Sequence, residues 1–333
     1  MFSLGDFAPQ SCVPDKIPNF VGRQDQCKEI LSHLTDENTR IVNVWGPPGF
    51  GKTSVAISVA HQLREKNIPV YFAPLRGMVS KEELVSKLLS IFAVDMRMPH
   101  VSSSHWLIHC LQQVQNRFVL ILDNADDLLE SEHAKQKQQV LRFIDEILTQ
   151  CGHIKLLLTT RASLDFLGHS LPINLVKTNA LDDVSSTNLI RSLLPGVSDR
   201  DCICITKECG NVPLSMRLMC SIIREENVSV EELTDELRNS TIVEVLDSES
   251  LPDDCRLKIL INKSFQRLPV REKKAFVSLA IFPGWFNAKE ATAVLGVKSD
   301  VTTKKIIRTL ERSSLIDSGE SFTRFTIHSL FRS

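Results

Sequence analysis

The sequence predicts an α/β fold: a parallel sheet covered by helices, followed by a helical domain and a winged-helix domain. Three observations carry this. Between residues 41 and 176, short runs that are apolar throughout alternate with segments of helical period. Strands apolar on both faces belong in a buried parallel sheet. After about residue 180 the strand signal stops and helix-period segments follow one another. The last block ends in helices and then two short strand-like pieces, the order of a winged helix.

Along the chain, residues 1–18 hold Pro9, Pro14 and Pro18 without periodicity and read as an extended arm or linker. The strands of an α/β domain over 19–180 fall at 41–45, 70–74, 118–123, 155–160 and 173–176. Its helices fall at 53–64, 81–92, 104–114 and 135–149. A helical domain over 181–250 is built from 183–194, 200–209, 214–225 and 230–239. It runs out through 244–254, which is acidic, holds Pro252 and reads as a connector. Residues 251–333 form the winged helix, with helices at 258–265, 271–282, 288–295 and 301–311. Strands at 315–317 and 322–327 flank a hairpin-like turn at Ser318-Gly319-Glu320.

Composition narrows the class. The 333 residues are 43% hydrophobic and 24% charged, which excludes intrinsic disorder for most of the chain. The net charge of −1 gives no global pull toward nucleic acid or an anionic membrane. No apolar run approaches the roughly 20 residues of a membrane helix. The opening MFSLGDFAPQ lacks the basic-then-apolar pattern of a secretory signal. The nine cysteines are odd in number, irregularly spaced and without a C-x-x-C pair. Even the cluster Cys202, Cys204 and Cys209 has no second ligand pair at zinc spacing. They read as buried or half-buried thiols of a cytoplasmic protein.

The strongest local feature is Gly46-Pro47-Pro48-Gly49-Phe50-Gly51-Lys52-Thr53, a full match to G-x-x-x-x-G-K-[ST] between a strand and a helix. Its glycines let successive N–H groups converge on a phosphate. The following helix adds its positive end and unpaired donors. Lys52 supplies a charge to the β- and γ-phosphates, and the Thr53 hydroxyl can ligate Mg²⁺. Gly46, Gly49, Phe50, Gly51, Lys52, Thr53 and Ser54 are therefore cofactor-binding candidates. The run 118–122 ends in Asp123, which puts a second metal-binding oxygen at the C-terminal edge of a central strand. Asn124 follows, then Asp126 and Asp127; either acid could orient water or cap a helix. The run 155–160 delivers Arg161 to the same edge, where a guanidinium can sense a γ-phosphate. Asp123, Asn124 and Arg161 are the catalytic candidates.

Further motifs follow in order: Asn19-Phe20-Val21-Gly22-Arg23, Thr160-Arg161, Cys209-Gly210-Asn211-Val212-Pro213-Leu214, Phe282-Pro283-Gly284-Trp285-Phe286 and Phe325-Thr326-Ile327-His328-Ser329-Leu330. Together with the phosphate loop they resemble the NB-ARC module of the STAND P-loop ATPases. That module is shared by plant disease-resistance proteins, apoptotic protease-activating factor and related bacterial regulators. The resemblance covers about residues 19–331. It implies that Val21 and Arg23 lie beside the adenine, Asp123 holds Mg²⁺ and Arg161 is the sensor. Pro213 would pack on the adenine, and His328 would reach the β-phosphate of ADP. Three positions depart from the family: Gln24 replaces Glu, Asn124 replaces a second acid, and Ser329 replaces Asp. Loss of the second acid implies at most a slow ATPase.

The implied function is a molecular switch, closed with ADP and opening or oligomerising with ATP–Mg²⁺, in immunity- or cell-death-like signalling. Sensor repeats and effector domains would be partners outside this chain. One rival is a DNA-dependent P-loop ATPase reading DNA through 301–311, with Lys304, Lys305, Arg308 and Arg312. A solvated helix face explains those residues more simply, so nucleic acid is not an expected partner. The other rival is a P-loop kinase or transferase, which needs an acceptor pocket and usually lacks the long helical and winged tail.

Overall fold

The computed structural model describes residues 13–92, 102–129, 134–164 and 172–239. Further on it describes 262, 265–266, 268–282, 284–297, 299–313, 315–318 and 323–327. The chain divides into two compact units. One comprises Met1–Pro18, Arg23–Trp45 and Lys52–Lys177; the other comprises Asn19–Gly22, Gly46–Gly51 and Thr178–Ser333.

The first unit runs α1 (Gln24–Thr35), β1 (Ile41–Trp45), α2 (Lys52–Glu65), β2 (Val70–Pro74), α3 (Lys81–Ile91), α4 (Ser103–Gln112) and β3 (Phe118–Asp123). It continues through α5 (Asp126–Leu129), α6 (Ala134–Gln150), β4 (Ile154–Thr160) and β5 (Ile173–Lys177). The strands form one parallel five-stranded sheet in the order β2-β3-β4-β1-β5. Every residue of β3 and β4 is buried, as apolar runs without alternation require. Alternate strand residues Phe118, Leu120, Leu122, Leu156 and Leu158 share one core with Leu84 and Leu88 of α3, Leu107 and Leu111 of α4, and Phe143 and Ile147 of α6. Period-2 strand faces and period-3.6 helix faces meet there. Helix α1 packs on β1 and β5, and α2 lies across β1 to β4.

Local chemistry sets the helix starts. Ser80 and Glu83 form a reciprocal capping box on α3, and the Ser102 side chain accepts from His105 N on α4. Helix α1 was not among the sequence-derived elements. Its signal is present, however: Cys27, Ile30, Leu31 and Leu34 are its buried residues, at i, i+3, i+4 and i+7.

The second unit holds α7 (Asp183–Leu193), α8 (Asp199–Glu208), α9 (Pro213–Glu226) and α10 (Val230–Asn239). Asp182 and Ser198 cap α7 and α8, and Pro213 opens α9 at a position where its missing N–H costs nothing. Ile190, Cys202, Ile205, Met216 and Met219 form the core of these helices. Then come α11 (Val270–Leu279), β6 (Phe286–Asn287), α12 (Ala288–Leu295), α13 (Asp300–Arg312), β7 (Ile316–Ser318) and β8 (Arg324–Ile327). The three strands make an antiparallel sheet in the order β6-β8-β7. Leu279, Phe286, Ile307, Leu310, Ile316 and Ile327 fill its core.

Strand β6 was not anticipated, because two residues carry no periodicity. Helix α11 ends at Leu279 rather than at the expected residue 282. The residue before a proline is disfavoured in helical geometry, and Phe282 precedes Pro283. The Phe282 ring instead stacks on Phe286 with centroids 4.7 Å apart. The expected connector 244–254 lies outside the described residues, as does most of the expected helix 258–265. Among the described residues, no helix is long and apolar enough to cross a membrane. The seven described cysteines are free thiols, and no cluster of metal-ligating side chains occurs among the described residues.

Candidate functional site

The phosphate-loop motif joins the end of β1 to the start of α2. Gly46 has φ +149, and a Cβ there would sit 2.4 Å from Thr178 Oγ1 and 2.7 Å from the Thr178 carbonyl oxygen. Only glycine fits both the conformation and the space. Further along the loop, Gly49 O accepts a hydrogen bond from Leu214 N at 3.2 Å. Phe50 is fully buried among the core residues of α7 to α10. The loop and the Cys209–Leu214 motif are therefore directly bonded, with Pro213 one residue from the bond. Val21 packs against the same core, half-buried. His328 and Ser329 lie outside the described residues.

In the first unit, Lys52 and Thr53 open α2 and Ser54 follows in its first turn. Thr53 Oγ1 donates to Asp123, 2.9 Å from Oδ1 and 3.1 Å from Oδ2. Magnesium takes oxygen ligands at about 2.0–2.1 Å in an octahedron, so neighbouring ligand oxygens lie about 2.9 Å apart. The hydroxyl and carboxylate already have that spacing, and hard oxygen donors suit this ion. The site thus fits the Mg²⁺ that the motif implies. Asp123 is 5% exposed. Burial pushes its carboxyl above the ordinary range, while hydrogen bonds from Thr159 and Thr53 and the charge of Lys52 oppose that rise.

The tails of β3 and β4 are laced together. Thr159 Oγ1 donates to Asp123 Oδ1 at 2.6 Å and accepts from Asn124 N at 2.8 Å. Ala125 N donates to Thr159 O at 3.0 Å. Asp126 Oδ1 accepts from Arg161 N at 2.5 Å, and Asp126 Oδ2 lies 3.8 Å from Arg161 Nε. Asn124 adopts φ +61, a left-handed angle that Asn tolerates. With its amide turned so that both ends are satisfied, Asn124 donates to Asp126 Oδ2 at 3.3 Å and accepts from Arg76 Nη2 at 3.2 Å.

The two acids that sequence left open thus differ in employment. Asp126 engages Arg161, and Asp127 Oδ2 accepts from Gly77 N at 3.1 Å. Arg23, 5% exposed, donates to Gln26 Oε1 at 3.0 Å. Gln26 in turn donates to Lys177 O at 2.8 Å, which ties α1 to the end of β5.

Three contributors escaped the sequence reading: Thr159, the pairing of Asp126 with Arg161, and Asn43. The last is wholly buried in β1, donates to Thr160 Oγ1 at 2.8 Å and accepts from Leu164 N at 3.2 Å. Asn43 had a signal, because a polar residue inside an apolar strand must find partners. Thr159 had none beyond standing next to the Thr160-Arg161 motif.

A parallel sheet with a phosphate-loop motif after one strand and a buried acid at the end of another defines a P-loop nucleoside triphosphatase fold. The chain belongs to the Novel STAND NTPase 1 family, whose sequence profile matches residues 13–192. Disease resistance protein TAO1 of Arabidopsis thaliana is 24% identical over 324 residues, covering 92% of this chain and 25% of that protein. The uncharacterized WD repeat-containing protein alr2800 of Nostoc sp. is 23% identical over 335 residues, covering 92% and 25%. The chain thus spans about a quarter of the length of these relatives. Among solved structures, the Walker-type ATPase PABY2304 of Pyrococcus abyssi has a TM-score of 0.64 at 13% identity, covering 95% of each chain. At that identity the likeness concerns the fold.

Proposed function

We propose that the chain is a nucleotide-operated switch that holds ADP in a closed state and ATP–Mg²⁺ in an open, self-associating one. The observation that carries this reading is the contact of Thr53 with Asp123, 2.9 Å apart behind a complete phosphate-loop motif. In this reading the backbone N–H groups of Gly46, Gly49 and Gly51 and the charge of Lys52 bind the phosphates. Thr53 and Asp123 would hold Mg²⁺, which supplies charge neutralisation between the β- and γ-phosphates. Arg161 would sense the γ-phosphate. Pro213, with Val21 and Arg23, would serve the adenine, and His328 the β-phosphate of ADP.

Asn124 cannot accept a proton from water, and its amide is engaged by Asp126 and Arg76. Slow turnover follows, which suits a switch that must persist in each state. Only differential contacts with the two nucleotides can shift such an equilibrium. Likeness to a disease resistance protein supports a signalling role with sensor and effector partners elsewhere, of the immunity or cell-death kind. An odd number of irregularly spaced cysteines, without a C-x-x-C pair, favours a reducing compartment, the cytoplasm.

The test is the nucleotide recovered after purification. Acid extraction and chromatography should yield ADP close to one per chain; protein that is nucleotide-free and gains none on incubation contradicts the reading.

The DNA-dependent reading ranks second. Lys304, Lys305 and Arg308 are exposed on α13, and Lys289, Lys304 and Arg308 line a cleft of about 520 Å³. Asp300 and Glu311 line the same cleft, so its charge is mixed. Duplex affinity falling steeply with salt would bring this reading forward.

A further inference from the structure

We infer that Asp126 is a positioning residue: it aims the Arg161 guanidinium and so sets how strongly the site prefers ATP over ADP. This rests on the reading of Arg161 as the γ-phosphate sensor.

The geometry behind it is a buried pair held at several points. Asp126 and Arg161 side chains are 3% and 13% exposed. One carboxylate oxygen receives the backbone N–H of Arg161; the other faces Nε of the same residue and receives the Asn124 amide. Asp126 therefore fixes where the Arg161 main chain leaves β4 and places a negative charge 3.8 Å from Nε of its guanidinium.

Arginine presents five donors in a planar fork. A carboxylate facing Nε approaches the fork from its side, not across the Nη end where the phosphate would bind in this reading. A carboxylate gripping the Nη end would instead compete with a phosphate. Burial makes the arrangement consequential, because a guanidinium in low dielectric is strongly held by whichever anions face it. The neighbouring acid Asp127 is bound to Gly77 N, so the two consecutive carboxylates serve different segments.

The experiment measures ATP–Mg²⁺ and ADP affinities by calorimetry for wild type, Arg161→Ala, Asp126→Asn, Asp126→Ala and the double variant Asp126→Ala/Arg161→Ala. Loss of a charge-assisted contact to the terminal phosphate should lower the ATP-over-ADP preference roughly tenfold or more in Arg161→Ala. Asp126→Ala should lower it comparably, with ADP affinity kept. Asp126→Asn should fall between, because its carbonyl oxygen can still receive the Arg161 N–H. The double variant should lose no more than Arg161→Ala, since both changes remove one interaction.

A preference unchanged or raised by the Asp126 variants, while Arg161→Ala lowers it, overturns the inference and leaves the sensor reading standing. A preference unmoved by Arg161→Ala removes the sensor role, and the inference with it. Wild type that binds neither nucleotide removes the proposed function itself. If Asp126→Ala does not fold, Asp126→Asn alone decides by the same comparison.

Discussion

The Thr159 hydroxyl donates to Asp123 Oδ1 at 2.6 Å and accepts the Asn124 N–H at 2.8 Å. One side chain on β4 thereby orients the proposed metal acid on β3 and satisfies the residue after it. Thr159→Val keeps the shape but leaves the half-buried Asn124 N–H without this acceptor and removes one donor from the carboxylate. A loss of about 1–3 kcal/mol is expected, together with weaker Mg²⁺-dependent ATP binding. Thr159→Ser should restore both. Melting curves with and without ATP–Mg²⁺ check this; equal behaviour of the Val and Ser variants would show that the hydroxyl carries no part of it.

Much of the site was legible because its residues sit where strand runs end. The runs 118–123 and 155–160 are apolar enough to be read as buried strands, which places Asp123 and Arg161 on one edge; the structure has them as Phe118–Asp123 and Ile154–Thr160. What sequence could not give is cross-strand pairing. That Asp126 meets Arg161, or that Thr159 meets Asp123, depends on β3 and β4 being neighbours in the order β2-β3-β4-β1-β5, and no local pattern encodes that order. Helix α1 was missed for another reason: its start at Arg23 has no side-chain cap hydrogen bond, so only its apolar spacing marks it.

Gly46→Ala should abolish nucleotide binding and lower the melting temperature. The new methyl would meet the Thr178 carbonyl oxygen at 2.7 Å, and a backbone atom has little room to yield. Gly77→Ala is the control, with φ +74 but nothing within 4 Å of the added carbon. It should cost only the left-handed strain, about 1–2 kcal/mol, and leave binding intact. Thermal unfolding with and without ADP separates the two; a Gly46→Ala protein that matches the Gly77→Ala protein in both would contradict the close approach.

Asn124→Asp should raise turnover if a second acid at this position acts on water. It should also strain the site, because the new carboxylate would face Asp126 Oδ2 at 3.3 Å while its other oxygen faces Arg76. Two carboxylates that close resist ionising together. Single-turnover ATP hydrolysis is the measurement. A rate no higher than that of wild type means that position 124 is not where a base would work.

Alkaline pH should weaken the fold. Burial raises the Cys220 thiol from its ordinary 9.0 to about 12 and the Cys151 thiol to about 11. The folded state therefore holds these protons more tightly than the unfolded chain does. That stabilisation is complete below pH 9.0 and is lost as pH rises through about 11 and then about 12. Denaturation midpoints should fall above the lower limit, and less steeply in Cys220→Ala and Cys151→Ala. A flat profile in wild type would show that the thiols do not contribute.

The most direct measurement is the ADP-induced shift in melting temperature, compared between wild type and Lys52→Ala. Lys52 begins α2, and its removal takes away the charge expected at the terminal phosphates while leaving the loop glycines in place. Binding to the folded state adds RT ln(1 + [L]/Kd), about 2.7 kcal/mol at a hundredfold excess over Kd. The expected result is a clear upward shift in wild type and none in Lys52→Ala, with both proteins melting at similar temperatures when ADP is absent. An equal shift in the two proteins would contradict the assignment of this loop as the nucleotide site.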